Sequence, residues 1–178
     1  MHRLTTTALT SVAAVALSLG PGLAPAQADV TAFSDRANDA RPTVDIERVR
    51  VNNGQRIVVT TTFDNLRRSA TGGISVYFDT RGFDRGPEYR AAGGINAQGT
   101  DWQAARIENW RARRAQLLRR CDIDMRVSFS SDKATFDIAR RCFERPGRVR
   151  VAVLATGEHA AQHDWAPRRH RFSDWVRR

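Results

Sequence analysis

The sequence predicts an all-β fold, an antiparallel β-sandwich of jelly-roll type with one hairpin closed by a disulfide. Three observations carry that expectation: roughly seven short alternating stretches with turn signals at intervals of about ten residues, no sustained helical period, and two cysteines bracketing the clearest hairpin. In that hairpin Ile123, Met125, Val127 and Phe129 alternate with Asp122, Asp124, Arg126 and Ser128, and the apolar face resumes at Ala134, Phe136 and Ile138. With Ser130 to Lys133 as the loop, Phe129 lies opposite Ala134, Val127 opposite Phe136, Met125 opposite Ile138, and Cys121 opposite Cys142. A closed barrel is the alternative for the same strands.

The chain opens with His2 and Arg3, an apolar run from Ala8 to Leu19, breakers at Gly20, Pro21 and Gly22, and then Ala26-Gln27-Ala28. This is the pattern of a secretory signal peptide over residues 1–28, cleaved after Ala28, and the run is short for a bilayer span. The rest of the chain is therefore expected to be secreted and extracellular, where a cysteine pair oxidises by default. Residues 29–42 read as an irregular N-terminal arm with Phe33 docked on the core, and residues 43–178 as a single sandwich domain.

Val49 and Val51, then Ile57, Val59, Thr61 and Phe63, keep apolar residues on odd positions across Asn52-Asn53-Gly54, which predicts a bulged hairpin loop with Gly54 left-handed. Arg48, Arg50, Arg56, Thr60 and Thr62 occupy its other face. Ile74, Val76 and Phe78 alternate with Ser75, Tyr77 and Asp79 as a third strand, followed by a glycine-rich charged turn and a returning strand over 88–95. Residues 102–108 are read as a strand with a basic loop or short helical piece after it, although Ile107, Trp110, Leu117 and Leu118 also fit one helical face. After Pro146-Gly147 comes the strand of Val149, Val151 and Val153, and then a polar tail whose aromatics pin it to the sandwich.

A net charge of +10 favours anionic partners, yet Lys133 is the only lysine and the arginines are scattered through almost every segment. The charge therefore reads either as a binding face for an anionic polymer or as a compositional bias toward arginine. Serines stand without a GxSxG elbow, the cysteines serve the bridge, and the Asp122 and Asp124 pair on the outer face of the hairpin resembles a solubilising pair more than a glycosidase couple.

Val44-Asp45-Ile46, Val76-Tyr77-Phe78-Asp79-Thr80, Arg85-Gly86-Pro87-Glu88-Tyr89, the Cys121 and Cys142 pair, Asp164-Trp165-Ala166-Pro167 and Phe172-Ser173-Asp174-Trp175-Val176 together resemble a group of secreted β-sandwich proteins of high-GC Gram-positive bacteria. The resemblance covers nearly the whole chain after the signal peptide and implies fold and export, but no activity. That group is distantly similar to sandwich modules of the DOMON and family 9 carbohydrate-binding type, which share a strand ending in an acidic residue comparable to Asp79. Such folds host sugar, haem and structural roles.

Three constellations remain as candidate sites. Asp79, Asp84 and Glu88 bring carboxylates to one turn, where calcium would find oxygen ligands or where Arg81 and Arg85 would neutralise them. Tyr77, Trp102, Trp110 and Trp165, with Arg48 and Arg50, offer stacking rings and charge for a ligand platform, or else complete the core. His159, His163 and His170 read as exposed histidines of a polar tail rather than as a metal site. The expectation is a monomeric, non-catalytic, extracellular or wall-associated module for polysaccharide or anionic cell-wall polymer, with calcium as the one candidate ion and no nucleic-acid or membrane partner. A protein-partner surface of the inhibitor kind and an enzyme of unrecognised type are the alternatives.

Overall fold

The computed structural model describes residues 29–69, 71–82, 86–96, 101–159 and 162–178. Their strands are β1 (Val30–Ser34), β2 (Ile46–Asn53), β3 (Arg56–Phe63), β4 (Gly72–Asp79), β5 (Tyr89–Ile95), β6 (Trp102–Arg106), β7 (Gln116–Leu117), β8 (Ile123–Ser128), β9 (Lys133–Ala139), β10 (Arg148–Thr156), β11 (His163–Ala166) and β12 (Val176–Arg177). They form two antiparallel sheets, one ordered β1-β2-β3-β9-β8 and the other β11-β10-β4-β5-β6-β7 with β12 added beside β10. The sheets pack as a sandwich.

Side-chain alternation decides what fills the space between them. Val49, Val51, Ile57, Val59, Phe136 and Ile138 of the first sheet meet Ile74, Val76, Phe78, Val149, Val151 and Val153 of the second, all within 1% of complete burial. Phe143 closes one end of this core, 4.8 Å from the Phe78 ring and stacked 4.5 Å from Tyr89. Gly93 serves a close approach, since a Cβ there would collide with the Met125 sulfur that the first sheet lays against β5.

The disulfide joins Cys121 to Cys142 with Cα atoms 5.1 Å apart, but the hairpin register differs from the expected one by two residues. Val127 pairs with Ala134, Met125 with Phe136 and Ile123 with Ile138. Asp132 causes the change: it takes a left-handed φ of 53° and closes the loop over 129–132, while its Oδ1 accepts the Leu66 N–H at 2.7 Å. A 3-10 turn, Arg140–Phe143, then carries Cys142 back to Cys121.

Three further expectations are corrected. The arm over 29–42 is not wholly irregular, because β1 pairs along β2 from Val30↔Asn52 to Ser34↔Arg48, held by backbone hydrogen bonds that no apolar pattern announces. Phe33 does pack against the core. The β2–β3 hairpin keeps odd positions opposite odd, with Asn53↔Ile57 and Val51↔Val59, yet among the described glycines only Gly82 has a left-handed φ, so Gly54 does not act as the bulge glycine. The segment beyond β6 contains the short β7 rather than a helix, and its Ile107 and Trp110 instead cover the outer face of the second sheet. Among the described residues no helix is long and apolar enough to cross a membrane. The disulfide is the covalent chemistry of an oxidising compartment.

Candidate functional site

The outer face of the second sheet is built from the residues that alternate with its core. Register sets them in rows: Ala152, Tyr77, Arg90 and Ala105 in one, Leu154, Ser75, Ala92 and Gln103 in the next, and Thr156, Gly73 and Gly94 in a third. The row of Tyr77 is roofed. Its ring lies 5.4 Å from Trp110 and 5.5 Å from Trp165, and Phe172 and His170 stand 4.7 and 5.0 Å from Trp110. Tyr77 therefore points outward, as alternation requires, but is only 4% exposed. Burial pushes its phenol above the usual range, and the Arg90 guanidinium beside it pulls the other way. Burial also lowers His170.

The other two rows stay open because their side chains are small. Gly73, Ser75, Ala92 and Gly94 floor a groove of about 450 Å³ rimmed by Arg90, Asp101, Trp102, Gln103 and Thr156. At Gly73 a Cβ would meet its nearest neighbours, the Gly93 carbonyl oxygen and the Thr156 hydroxyl, at 3.4 Å. A methyl group fits there, so the glycine keeps the floor low rather than relieving a clash. Trp102 stands at the groove's edge, 40% exposed, with its Nε1 donating to the Ile123 carbonyl at 2.9 Å.

The expected platform of Tyr77, Trp102, Trp110, Trp165, Arg48 and Arg50 is thus divided. Tyr77, Trp110 and Trp165 form an aromatic roof, Trp102 belongs to the groove, and Arg48 and Arg50 are exposed on β2 of the other sheet. Sequence reasoning missed the groove floor, whose only signal was the run of small residues over 91–94 and at 72–73.

The carboxylates proposed for calcium are engaged otherwise. Asp79 is fully buried; its Oδ2 pairs with Arg150 at 2.6 Å and its Oδ1 accepts the Arg81 and Gly82 N–H groups at 3.0 and 2.8 Å. Glu88 Oε2 accepts the Thr80 N–H at 2.7 Å, and Asp84 lies outside the described residues. Asp122 is held by Arg56 and Arg141, each at 3.1 Å, and Asp124 by Arg126 at 3.5 Å, which makes them ion pairs rather than an acid and base couple. Arg56, Arg140, Arg141, Arg145 and Arg178 surround a hollow of about 290 Å³, but Arg140 is spent on Asn53 and the Pro146 carbonyl.

Carboxylates do converge at one end of the sandwich, where Asp35, Asp39 and Asp164 place an oxygen each within 4.8 Å of the others. Burial and the Asp164 charge push Asp35 up to about 7, and burial raises Asp164. No family model, curated protein or solved structure matches the chain.

Proposed function

We propose that the protein is an exported, non-catalytic binding module that holds an extracellular or cell-wall polysaccharide along the groove of the second sheet. The groove itself carries this reading: a floor of small residues on a rigid sheet, open along the strand rows, with a polar rim. Arg90 donates hydrogen bonds, Asp101 accepts them, and Gln103, Ser75 and Thr156 do both, which suits a ligand made of hydroxyl groups. The exposed edge of Trp102 adds a ring against which a sugar face can lie. Asp101 is the one carboxylate among the described lining residues, whereas glycoside hydrolysis ordinarily needs two. The signal-like segment over 1–28 and the disulfide support export. The likeness to carbohydrate-binding sandwiches agrees with the role only at the level of fold.

Anionic wall polymer is the second reading, favoured by the hollow that Arg145 and Arg178 share with three other arginines. Salt separates the two. The protein, produced from its full-length chain, is applied to isolated bacterial cell wall and to insoluble polysaccharides, and retention is followed as salt rises. Groove binding to neutral sugar persists at high salt, whereas arginine-driven binding collapses as counterions compete. Retention on neither material at any salt contradicts both readings and turns the search toward a protein partner.

A further inference from the structure

The geometry points to a calcium site at one end of the sandwich, formed by the carboxylates of Asp35, Asp39 and Asp164 with Asp45 behind them. Asp35 follows β1 directly, Asp39 lies one short loop further, Asp45 immediately precedes β2, and Asp164 is in β11. Local hydrogen bonds gather these distant positions. The Val44 and Asp45 N–H groups both donate to the Arg41 carbonyl at 2.8 Å, folding the loop back, and Asp45 Oδ2 accepts the Asn38 N–H at 2.9 Å from between the two loop aspartates. Asp164 reaches over from the second sheet, where its Oδ2 accepts the Ile46 N–H at 2.7 Å and its Oδ1 the Trp165 N–H at 2.6 Å.

Two independent observations ask for a cation there. Asp45 is only 2% exposed, and its Oδ1 has no hydrogen-bond partner although its other oxygen is tied to the loop that carries Asp35 and Asp39. A buried carboxylate oxygen left so is costly unless a positive charge faces it. The second observation is charge balance. The chain carries +10 and neutralises its other fully buried aspartate, Asp79, with Arg150, yet among the described residues no ion pair involves Asp35, Asp39, Asp45 or Asp164. All donors are hard oxygens, with no cysteine or histidine in the group, which selects calcium or magnesium over transition metals. Separations of up to 4.8 Å match two calcium–oxygen bonds of about 2.4 Å, and calcium accepts the irregular geometry that magnesium refuses. The ion would clamp the β1–β2 loop of one sheet onto β11 of the other.

The test uses the full-length protein stripped with EDTA and desalted, titrated calorimetrically with calcium chloride and melted with and without millimolar calcium. The expected result is one calcium per chain and a melting temperature that rises with calcium and rises less with magnesium. Asp39 is exposed, so Asp39→Asn leaves the core intact and should weaken calcium binding by about tenfold or more. In EDTA the same variant should melt no lower than the wild type, because it removes repulsion; a merely structural aspartate would melt lower. No calcium uptake by the wild type, equal stabilisation by magnesium, or unchanged calcium affinity in both Asp35→Asn and Asp39→Asn would overturn the assignment.

Discussion

Asp79 and Arg150 show how this chain treats a buried charge. The carboxylate is sealed inside and the guanidinium, 2.6 Å away, also lies over the Phe172 and Trp175 rings at 4.9 and 4.7 Å. Removing the arginine strands the carboxylate, so Arg150→Leu is expected to lose about 3–5 kcal/mol by urea denaturation. Adding Asp79→Asn should restore part of it. Asp122 gives the pH dependence: hydrogen bonding to Arg56, then to Arg141, lowers its carboxyl below the ordinary value of 3.8. A folded value below the unfolded one means that its contribution is present above about pH 4 and is lost as pH falls through the lowered value. The melting temperature of Asp122→Asn should therefore fall less steeply on acidification than that of the wild type. Exposure keeps this effect small. The outward direction of Tyr77 was legible from alternation alone, whereas its roof was not, because Trp110 and Trp165 come from distant segments and period-2 patterning says nothing about what covers a face.

Among elements, the disulfide hairpin separates what a pattern encodes from what it leaves open. A slip of two residues keeps every apolar side chain on its face, so alternation fits the expected and the observed register equally well. Asp132 in its left-handed conformation and the 3-10 turn before Glu144 settle the matter, and neither follows from hydrophobicity. The cysteines meet in spite of the slip because the turn makes up the difference. Replacing both with serine should cost about 2–4 kcal/mol, read as a lower urea midpoint. The retained Arg56 and Arg141 contacts to Asp122 hold the same end of the hairpin and argue for the lower part of that range. β1 escaped notice for a related reason, since an edge strand with one semi-buried large side chain, Phe33, is fixed by main-chain pairing more than by composition.

At the scale of the molecule, the sandwich follows from many short alternating strands, but its site follows from strand order. Placing β10, β4, β5 and β6 side by side brings positions 73–75, 90–94, 101–103 and 154–156 onto one surface. No local pattern contains that neighbourhood, which is why the aromatic residues stood out in the sequence while the small ones that leave the groove open did not. The same topology puts Arg48 and Arg50 on the other sheet, so the groove and the exposed arginines of β2 can be tested separately. The most direct measurement compares retention on polysaccharide at high salt for the wild type, for Ser75→Trp, which fills the groove floor, and for Arg48→Ala/Arg50→Ala. Groove binding predicts that Ser75→Trp weakens retention by about tenfold or more while the double arginine variant matches the wild type. Undiminished retention by a folded Ser75→Trp protein would contradict it.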